Sequence, residues 1–267
     1  GVKIKLSKNK CIINGVGING YKYKKKIILD AGNSGTLGRL IIGLLIHAKN
    51  KIKIIGDKSL SKRDFSRVTK PLEKFGAKIY SYKGGLPIIL EGTKNPKPIK
   101  YIENRGSAQC KTAIMFASLN TKGTTVIKAK KSRNHTELLF KYLKLPIKVT
   151  QKTNYDLIKI DGIKKFNSFN YNIPSDISSS AFFIVLTALS IKSKLIIKSV
   201  NINPSRTGMV KILKMMGVKL LFKNISKYKG EKTADIIIES AKNLKAINCP
   251  KKFNSSAIDE FLVIFLI

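Results

Sequence analysis

Arginine is the residue type whose placement in this sequence points most clearly to chemistry. The chain has 52 basic residues, but only six are arginine, and all six lie in or beside short motifs that contain Ser, Gly or Asp. A guanidinium binds phosphate and carboxylate groups through paired N–H donors, which the ammonium of lysine does not do. We therefore expect arginines here to bind an anionic ligand; capping or ion pairing within turns is the alternative. The six are Arg39, Arg63, Arg67, Arg105, Arg133 and Arg206.

A glycine-rich segment at residues 30–39 predicts a loop in front of a helix. Its glycines (Gly32, Gly35 and Gly38) and small side chains would let an anion approach backbone N–H groups at the helix start. The segment lacks the Gly-Lys-Ser/Thr of a P-loop and does not match the dinucleotide fingerprint. A glycine turn that only caps the helix is the alternative interpretation.

Polar side chains occur at two further predicted helix starts. Ser107-Ala108-Gln109 opens one helix, and Ser132-Arg133-Asn134-His135 precedes another. Hydroxyl, amide and guanidinium groups in these positions suit hydrogen bonding to a phosphate and a polyol, whereas an ordinary N-cap would explain either serine equally well. We interpret His135 as a turn residue rather than a catalytic base.

Two adjacent carboxylates, Asp259 and Glu260, stand out in a chain with only 15 acids. Acids in the first turn of a helix are favoured by the helix dipole, so capping is one interpretation. The other is a general base within a cationic site.

The elements that position these residues recur at a fixed period. Ser/Gly-rich helix starts at Ser34, Ser107 and Ser178 are 73 and 71 residues apart, and short breaks at positions 76, 146 and 217 are 70 and 71 residues apart. Between them we predict a helix (residues 37–47, 112–119 and 182–189), a strand, an arginine-containing turn, a second helix and further strands. This self-similarity predicts a β-α-β-α-β-β unit present three times, with a fourth beginning near Ser255.

Composition indicates a globular protein of 267 residues with 43% hydrophobic residues. No run of eighteen apolar residues occurs, so a membrane span is not expected.

The three cysteines are far apart, which fits neither a zinc site nor a disulfide framework and suits a reducing compartment. The first and last residues lack the features of natural termini, and we expect both ends to be cut.

The net charge of +37 raises the alternative of a nucleic-acid-binding protein. The lysines, however, are spread along the whole chain and accompany abundant Ile and Asn, as an AT-rich coding sequence would produce. A nucleic-acid binder more often clusters its charge and interleaves exposed aromatic residues. We therefore favour a solvated lysine surface and expect no nucleic-acid partner.

Taken together, the motifs resemble those of the EPSP synthase family of enolpyruvyl transferases. The resemblance runs through the whole chain in the family's order, and several ordered motifs rarely coincide by chance. The matching segments are 29–39, 56–72, 107–111, 132–137, 176–179, 203–208 and 258–260.

This resemblance implies an α/β (α+β) fold of two domains, an inside-out α/β barrel of six β-α-β-α-β-β units. About three and a half units would be present: residues 1–174 as most of the first domain and 175–267 as part of the second. A beginning with a substrate-binding Lys-Ser pair and an end with a Lys-Glu pair and further arginines would be missing. We expect this fragment alone to be inactive.

The resemblance also implies the reaction. The enolpyruvyl group of phosphoenolpyruvate would move to the 5-hydroxyl of shikimate 3-phosphate in aromatic amino acid biosynthesis, without a metal, a cofactor or a covalent enzyme intermediate. Gly35, Arg63 and Gln109 would contact phosphoenolpyruvate. A cytoplasmic monomer without membrane or nucleic-acid partners would fit the family.

The same resemblance assigns the second substrate. Asp259 would take the proton from the 5-hydroxyl as that oxygen attacks the enol carbon. The residues expected to contact shikimate 3-phosphate are Ser107, Ala108, Gln109, Arg133 and Asp259.

A sister enzyme, which transfers enolpyruvyl to UDP-N-acetylglucosamine, is the nearest alternative. Its hallmark is a reactive cysteine in a mobile loop at the level of residues 56–63. That stretch here reads Gly-Asp-Lys-Ser-Leu-Ser-Lys-Arg and has no cysteine, which argues against this alternative.

Overall fold

This computed structural model describes every residue of the chain except 19, 24, 164 and 166. The chain divides into two compact units. Unit 1 comprises Gly1–Lys131 and Leu143–Ser168, and unit 2 comprises Ser132–Tyr142 and Phe169–Ile267. Each unit is described by itself.

Unit 1 begins with an exposed antiparallel hairpin, β1 (Lys3–Ser7) and β2 (Lys10–Asn14). A four-stranded sheet follows, in the order β3-β4-β6-β5, and only its β3–β4 pair is parallel. Its strands are β3 (Ile27–Asp30), β4 (Ile52–Ile55), β5 (Lys78–Ser81) and β6 (Ile88–Glu91). The helices between them are α1 (Gly35–Leu44), α2 (Lys58–Ser61) and α3 (Ser66–Glu73).

A second four-stranded sheet in unit 1 has the corresponding order, β7-β8-β10-β9, again with a parallel first pair. Its strands are β7 (Lys100–Glu103), β8 (Thr124–Lys130), β9 (Ile147–Gln151) and β10 (Tyr155–Asp161). Helix α4 (Ala108–Leu119) connects β7 to β8 and is buried over nine of its twelve residues, so it forms the centre of the unit rather than its surface.

Helices α1 and α4 approach each other at a glycine. A Cβ atom at Gly43 of α1 would overlap the backbone carbonyl of Ala113 in α4. The absent side chain therefore lets the two helix backbones come close, and Ile42 of α1 and Ile114 of α4 are fully buried.

Unit 2 contains a three-stranded antiparallel sheet, β11-β13-β12, with a parallel bridge from Ser175 to Val200 at the β11 side. Its core is formed by the buried faces of α6, α7 and the sheet. The elements are α5 (His135–Tyr142), α6 (Ile177–Leu189), β11 (Lys194–Asn201), α7 (Gly208–Met215), β12 (Leu220–Tyr228), β13 (Glu231–Glu239), a 3-10 helix (Lys251–Phe253), α8 (Asn254–Ala257) and α9 (Phe261–Ile264).

The mixed α/β class is confirmed. Three of the four sheets fall within the three sequence repeats, and in each of these the strand that comes last in the sequence lies between the two strands that precede it. The inside-out barrel, the total of six units and the domain boundary at residue 174 stay predictions.

The first helix of each repeat begins at or beside the predicted polar start (Ser34, Ser107 and Ser178). It starts at Gly35, Ala108 and Ile177, ahead of the apolar runs that begin at positions 37, 112 and 182. A side-chain cap precedes each helix: the acceptor oxygens of Ser34, Ser107 and Asp176 bond to the N–H groups three residues on. These caps fix helix starts that the apolar pattern alone does not mark.

Across the residues described here, every helix is too short or too polar to cross a membrane.

We predict that Gly43→Ala destabilises the protein by about 1–3 kcal/mol, because the new methyl group must push α1 away from α4. Gly15→Ala is the matched control, since a Cβ at Gly15 meets no atom within 4 Å. Urea unfolding of both variants measures the difference. Equal unfolding free energies for the two variants would show that the helices do not depend on this close approach.

Candidate functional site

The start of α1 places Gly35 against two guanidinium groups. Ser34 Oγ accepts a hydrogen bond from Leu37 N at 3.1 Å and fixes the helix start. A Cβ at Gly35 would lie 2.9 Å from Arg39 Nη1 and 3.5 Å from Arg63 Nη1. Glycine therefore leaves room next to both arginines at the end of a helix whose N–H groups attract anions.

The segment that carries Arg63 is tied to the glycine-rich loop. Asp57 caps α2 by accepting a hydrogen bond from Leu60 N at 2.7 Å, and Asn33 Nδ2 donates to its other oxygen at 2.5 Å. The Leu60 N–H, followed by the Asn33 amide, lowers the pKa of Asp57. Arg63 follows this short helix and is exposed, so its guanidinium can be reached by a ligand.

Arg39 is buried and orients Gln109. Its Nη1 donates to Gln109 Oε1 at 2.9 Å, and its Nη2 donates to the Asp64 carbonyl at 3.2 Å. Gln109 Nε2 in turn donates to Thr36 Oγ1 at 2.9 Å, so both ends of the amide have partners. Burial, followed by the charges of Arg67 and Arg63, lowers the pKa of Arg39. Unit 1 thus brings predicted site residues from α1, the 56–63 loop and α4 together.

Ser107 and Ala108 lie where α4 begins. Ser107 Oγ accepts a hydrogen bond from Cys110 N at 3.2 Å, which makes this serine the N-cap. Behind them, the Cys110 thiol donates to the Arg67 carbonyl at 3.0 Å, and burial raises its pKa to about 11. The thiol stays protonated near neutral pH, and its contacts are those of a packed residue.

Four arginines of unit 1 lie close enough to affect the pKa values of charged neighbours. The charges of Arg67 and Arg63 both lower the pKa of Arg39. The charges of Arg67 and Arg105 help to lower the pKa of Asp64, although the Ser66 hydroxyl and N–H have larger effects. Positive charge is therefore concentrated around the start of α1 and α3, which favours a ligand with more than one negative charge.

In unit 2, Arg133 and Asp259 form an ion pair between Nη2 and Oδ2. Arg133 precedes α5, and Asp259 lies in the turn between α8 and α9. Their side chains are 32% and 46% exposed. The two predicted site residues of this unit are thus brought together across 126 positions of sequence, and both remain accessible.

A buried carboxylate anchors the segment next to Arg133. Glu231, at the start of β13, accepts from His135 Nδ1 at 2.5 Å and from Asn203 Nδ2 at 3.0 Å, while Asn203 Nδ2 also reaches Asn134 Oδ1 at 2.9 Å. Burial alone would raise the pKa of Glu231, but the hydrogen bond and charge of His135 and the Asn203 amide outweigh it and lower the pKa. His135 was predicted to be a turn residue, but it is the first residue of α5 and contacts this acid.

A second buried carboxylate, Glu260, adjoins Asp259. Ser178 Oγ donates to Glu260 Oε1, and Arg206 Nη2 donates both to Ser178 Oγ and, at 3.0 Å, to Asp176 Oδ1. Burial raises the pKa of Glu260, opposed by the Ser178 hydroxyl and the Arg206 charge. The sequence shows the two adjacent acids but does not indicate that one is buried and the other exposed.

Sequence reasoning missed Glu231. It follows a glycine in the turn of a hairpin, and no motif marks it; its partners lie 96 and 28 residues away.

Within the described part of the chain, no three His, Cys, Asp or Glu side chains are grouped so that they could hold a metal ion.

The fold and these side-chain clusters define a mixed α/β protein whose helix starts and arginines suit anionic ligands. A sequence model of the family described as EPSP synthase (3-phosphoshikimate 1-carboxyvinyltransferase) matches residues 1–265, and the chain belongs to this family. Membership favours the EPSP synthase interpretation of the sequence over the sister transferase and over a nucleic-acid-binding repeat protein.

Individual relatives agree with the family match. A 3-phosphoshikimate 1-carboxyvinyltransferase of Vesicomyosocius okutanii is 43% identical over 267 residues, which is 100% of this chain and 60% of the relative. That of Bacillus subtilis is 36% identical and is covered to 61%. A solved EPSP synthase from Acinetobacter baumannii matches with a TM-score of 0.86 at 38% identity, over 100% of this chain and 60% of that one. The chain therefore spans about 60% of the length of the relatives it matches.

We predict that Glu231→Gln makes the free energy of unfolding depend less on pH below about pH 5. The lowered pKa means that the unfolded chain takes up a proton at this position at higher pH than the folded chain does. The stabilisation from Glu231 is therefore present above the ordinary glutamate pKa of about 4.3 and is lost as pH falls through the folded-state pKa. Urea unfolding at pH 7 and below pH 5 measures the change for the wild type and for the variant.

Glu239→Gln serves as the comparison, because this partly exposed carboxylate pairs with Lys194 and Lys219 at the surface, where solvent screens the interaction. It should alter the pH dependence less. A wild type and a Glu231→Gln variant that lose stability in parallel below pH 5 would contradict the assignment.

Proposed function

We propose that the protein transfers the enolpyruvyl group of phosphoenolpyruvate to the 5-hydroxyl of shikimate 3-phosphate, giving EPSP and phosphate. Family membership supports this reaction. The structural observation that carries it is the cluster of Gly35, Arg63 and the Arg39-bound Gln109, since it joins a helix start, an accessible guanidinium and an oriented amide.

Phosphoenolpyruvate is assigned to Gly35, Arg63 and Gln109. A forked guanidinium matches the oxygens of a carboxylate or a phosphate, and the absent side chain at Gly35 lets the guanidinium groups of Arg39 and Arg63 lie close to the helix start. Gln109 is held by Arg39 and Thr36, so it can meet a ligand without first being ordered.

The contacts to shikimate 3-phosphate are assigned by the family resemblance. In unit 1 these are Ser107, Ala108 and Gln109 at the start of α4, where backbone N–H groups and the helix dipole favour a phosphate. In unit 2 they are Arg133 and Asp259, whose side chains are partly exposed.

Asp259 acts as the general base in this proposal. Its carboxylate takes the proton from the 5-hydroxyl while that oxygen bonds to C2 of phosphoenolpyruvate and the terminal methylene gains a proton from water. The resulting tetrahedral adduct then loses phosphate, and one methyl proton passes to water, which restores the double bond. Arg133, now paired with Asp259, would turn to the substrate as the base is engaged.

The remaining features of the proposal follow the family. Proton transfers and departure of phosphate balance without a redox step, so the scheme calls for no cofactor or metal. A domain boundary at residue 174, six repeat units in an inside-out barrel, a monomer and a cytoplasmic location belong to the same proposal.

We predict that Arg63→Ala lowers kcat/KM of the full-length gene product by about 10²–10³-fold, as expected when a preorganised donor to a charged ligand is removed. Arg63→Lys should recover only part of this loss, because the ammonium lacks the fork. The neighbouring exposed Lys62→Ala is the matched control and should stay within about twofold of the wild type. Continuous detection of released phosphate provides the rates, and equal effects of the Arg63 and Lys62 changes would refute the assignment.

Asp259→Asn should lower kcat by about 10²–10⁴-fold, because the amide keeps the size of the side chain but cannot take the proton. Asp259→Ala should show a loss of the same order. The same phosphate assay, with circular dichroism to verify folding, tests this prediction. Turnover near the wild-type rate in Asp259→Asn would exclude the residue as the base.

A further inference from the structure

The side chains of the two acids, Asp259 and Glu260, differ in their exposure to solvent. Asp259 is 46% exposed at its side chain and pairs with Arg133. Glu260 is 3% exposed and bonds to Ser178. Adjacent residues thus divide between an accessible carboxylate and a buried one.

Glu260 is connected to the start of α6 by a short series of hydrogen bonds. Arg206 donates to Asp176 and Ser178, and Ser178 donates to Glu260. Asp176 also accepts from Ser179 N at 2.9 Å, which caps the thirteen-residue helix α6. The carboxylate is therefore attached to a long helix whose inner face lies in the core of unit 2.

The backbone on either side of Glu260 has its own contacts, although the turn around it is open to solvent. Ala257 is fully buried, and a Cβ at Gly208 would overlap Ser256, so α8 lies close to the start of α7. Ile258 and Leu262, by contrast, are 64% and 81% exposed. The Glu260 side chain supplies an inward polar attachment within this exposed stretch.

The charges that face Glu260 come from several elements. Arg206 and Arg133 favour its ionised form, whereas burial and the neighbouring Asp259 disfavour it. Loss of Ser178 would leave the buried carboxylate with one partner fewer, which is costly in a site removed from water.

We propose that Glu260 is a positioning residue for Asp259: bonded to Ser178, and through it to Arg206, it fixes the turn that presents the Asp259 carboxylate. This inference rests on the proposed function and deepens it. Glu260 itself touches no reacting atom in this scheme. Its effect reaches the reaction through the placement of its neighbour, where a displacement of about 1 Å can lower a rate by about 10²-fold.

The test combines single and double variants of the full-length gene product in the phosphate assay. Glu260→Ala should lower kcat by about 10–10²-fold and leave KM for phosphoenolpyruvate within about threefold, since the residues assigned to that substrate lie elsewhere in the chain. Glu260→Gln should recover most of the rate, because its amide oxygen can still accept from Ser178. Glu239→Gln, a matched glutamate change on a surface pair, should leave kcat unchanged.

The double variant Asp259→Ala/Glu260→Ala is decisive. If Glu260 acts through Asp259, the double variant is no slower than Asp259→Ala alone, whereas a general structural role makes the two losses multiply. Multiplying losses, or an unchanged kcat in Glu260→Ala, overturns the proposal. If Glu260→Ala does not fold, Ser178→Ala takes its place in the same cycle, with the same two outcomes.

Failure of the proposed function would look different. A wild type that releases no phosphate, or an Asp259→Ala variant at the wild-type rate, would refute the reaction or its base whatever the Glu260 variants do.

Discussion

A buried guanidinium with neutral hydrogen-bond partners is the interaction on which the candidate site of unit 1 depends. Arg39 is 4% exposed and is bonded to the Gln109 amide and the Asp64 carbonyl, and its guanidinium lies 4.9 Å from the centre of the Phe65 ring. Burying a charge is unfavourable unless such contacts compensate it. Because these partners carry no formal charge, they hold the guanidinium in place without neutralising it, and Gly35 lies beside a fixed positive group.

In unit 2 the arginine of the candidate site is also held in place, but by a different arrangement. Its arginine is accessible and paired with an acid, and the two segments that carry the pair are each held by a buried carboxylate: Glu231 beside Arg133, and Glu260 beside Asp259. The two carboxylates differ in their environment. Hydrogen bonds outweigh burial at Glu231 and lower its pKa, whereas burial prevails at Glu260 and raises its pKa.

Local patterns predicted much of this fold. The recurrence of Ser34, Ser107 and Ser178 is a property of sequence alone, and it predicted the start of the first helix in each repeat and the three repeats in which three of the four sheets fall. What could not be predicted depends on contacts between distant positions. Nothing near residue 231 indicates that it meets His135, and nothing near Arg39 indicates that it is buried rather than exposed as Arg63 is. The resemblance to a family nominated Arg133 and Asp259 individually, but their pairing is a result of the fold.

The charge of +37 has little to do with these clusters. Most of it is lysine spread over the chain, whereas the groups that suit an anion are a few arginines at helix starts and turns.

The central claim is that these arginines and helix starts serve a transfer between two phosphorylated substrates. Its most direct test is to measure phosphate released by the wild-type, full-length gene product with phosphoenolpyruvate alone, with shikimate 3-phosphate alone, and with both. The account predicts release only with both substrates and one EPSP formed for each phosphate; release from either substrate alone, or none with both, would contradict it.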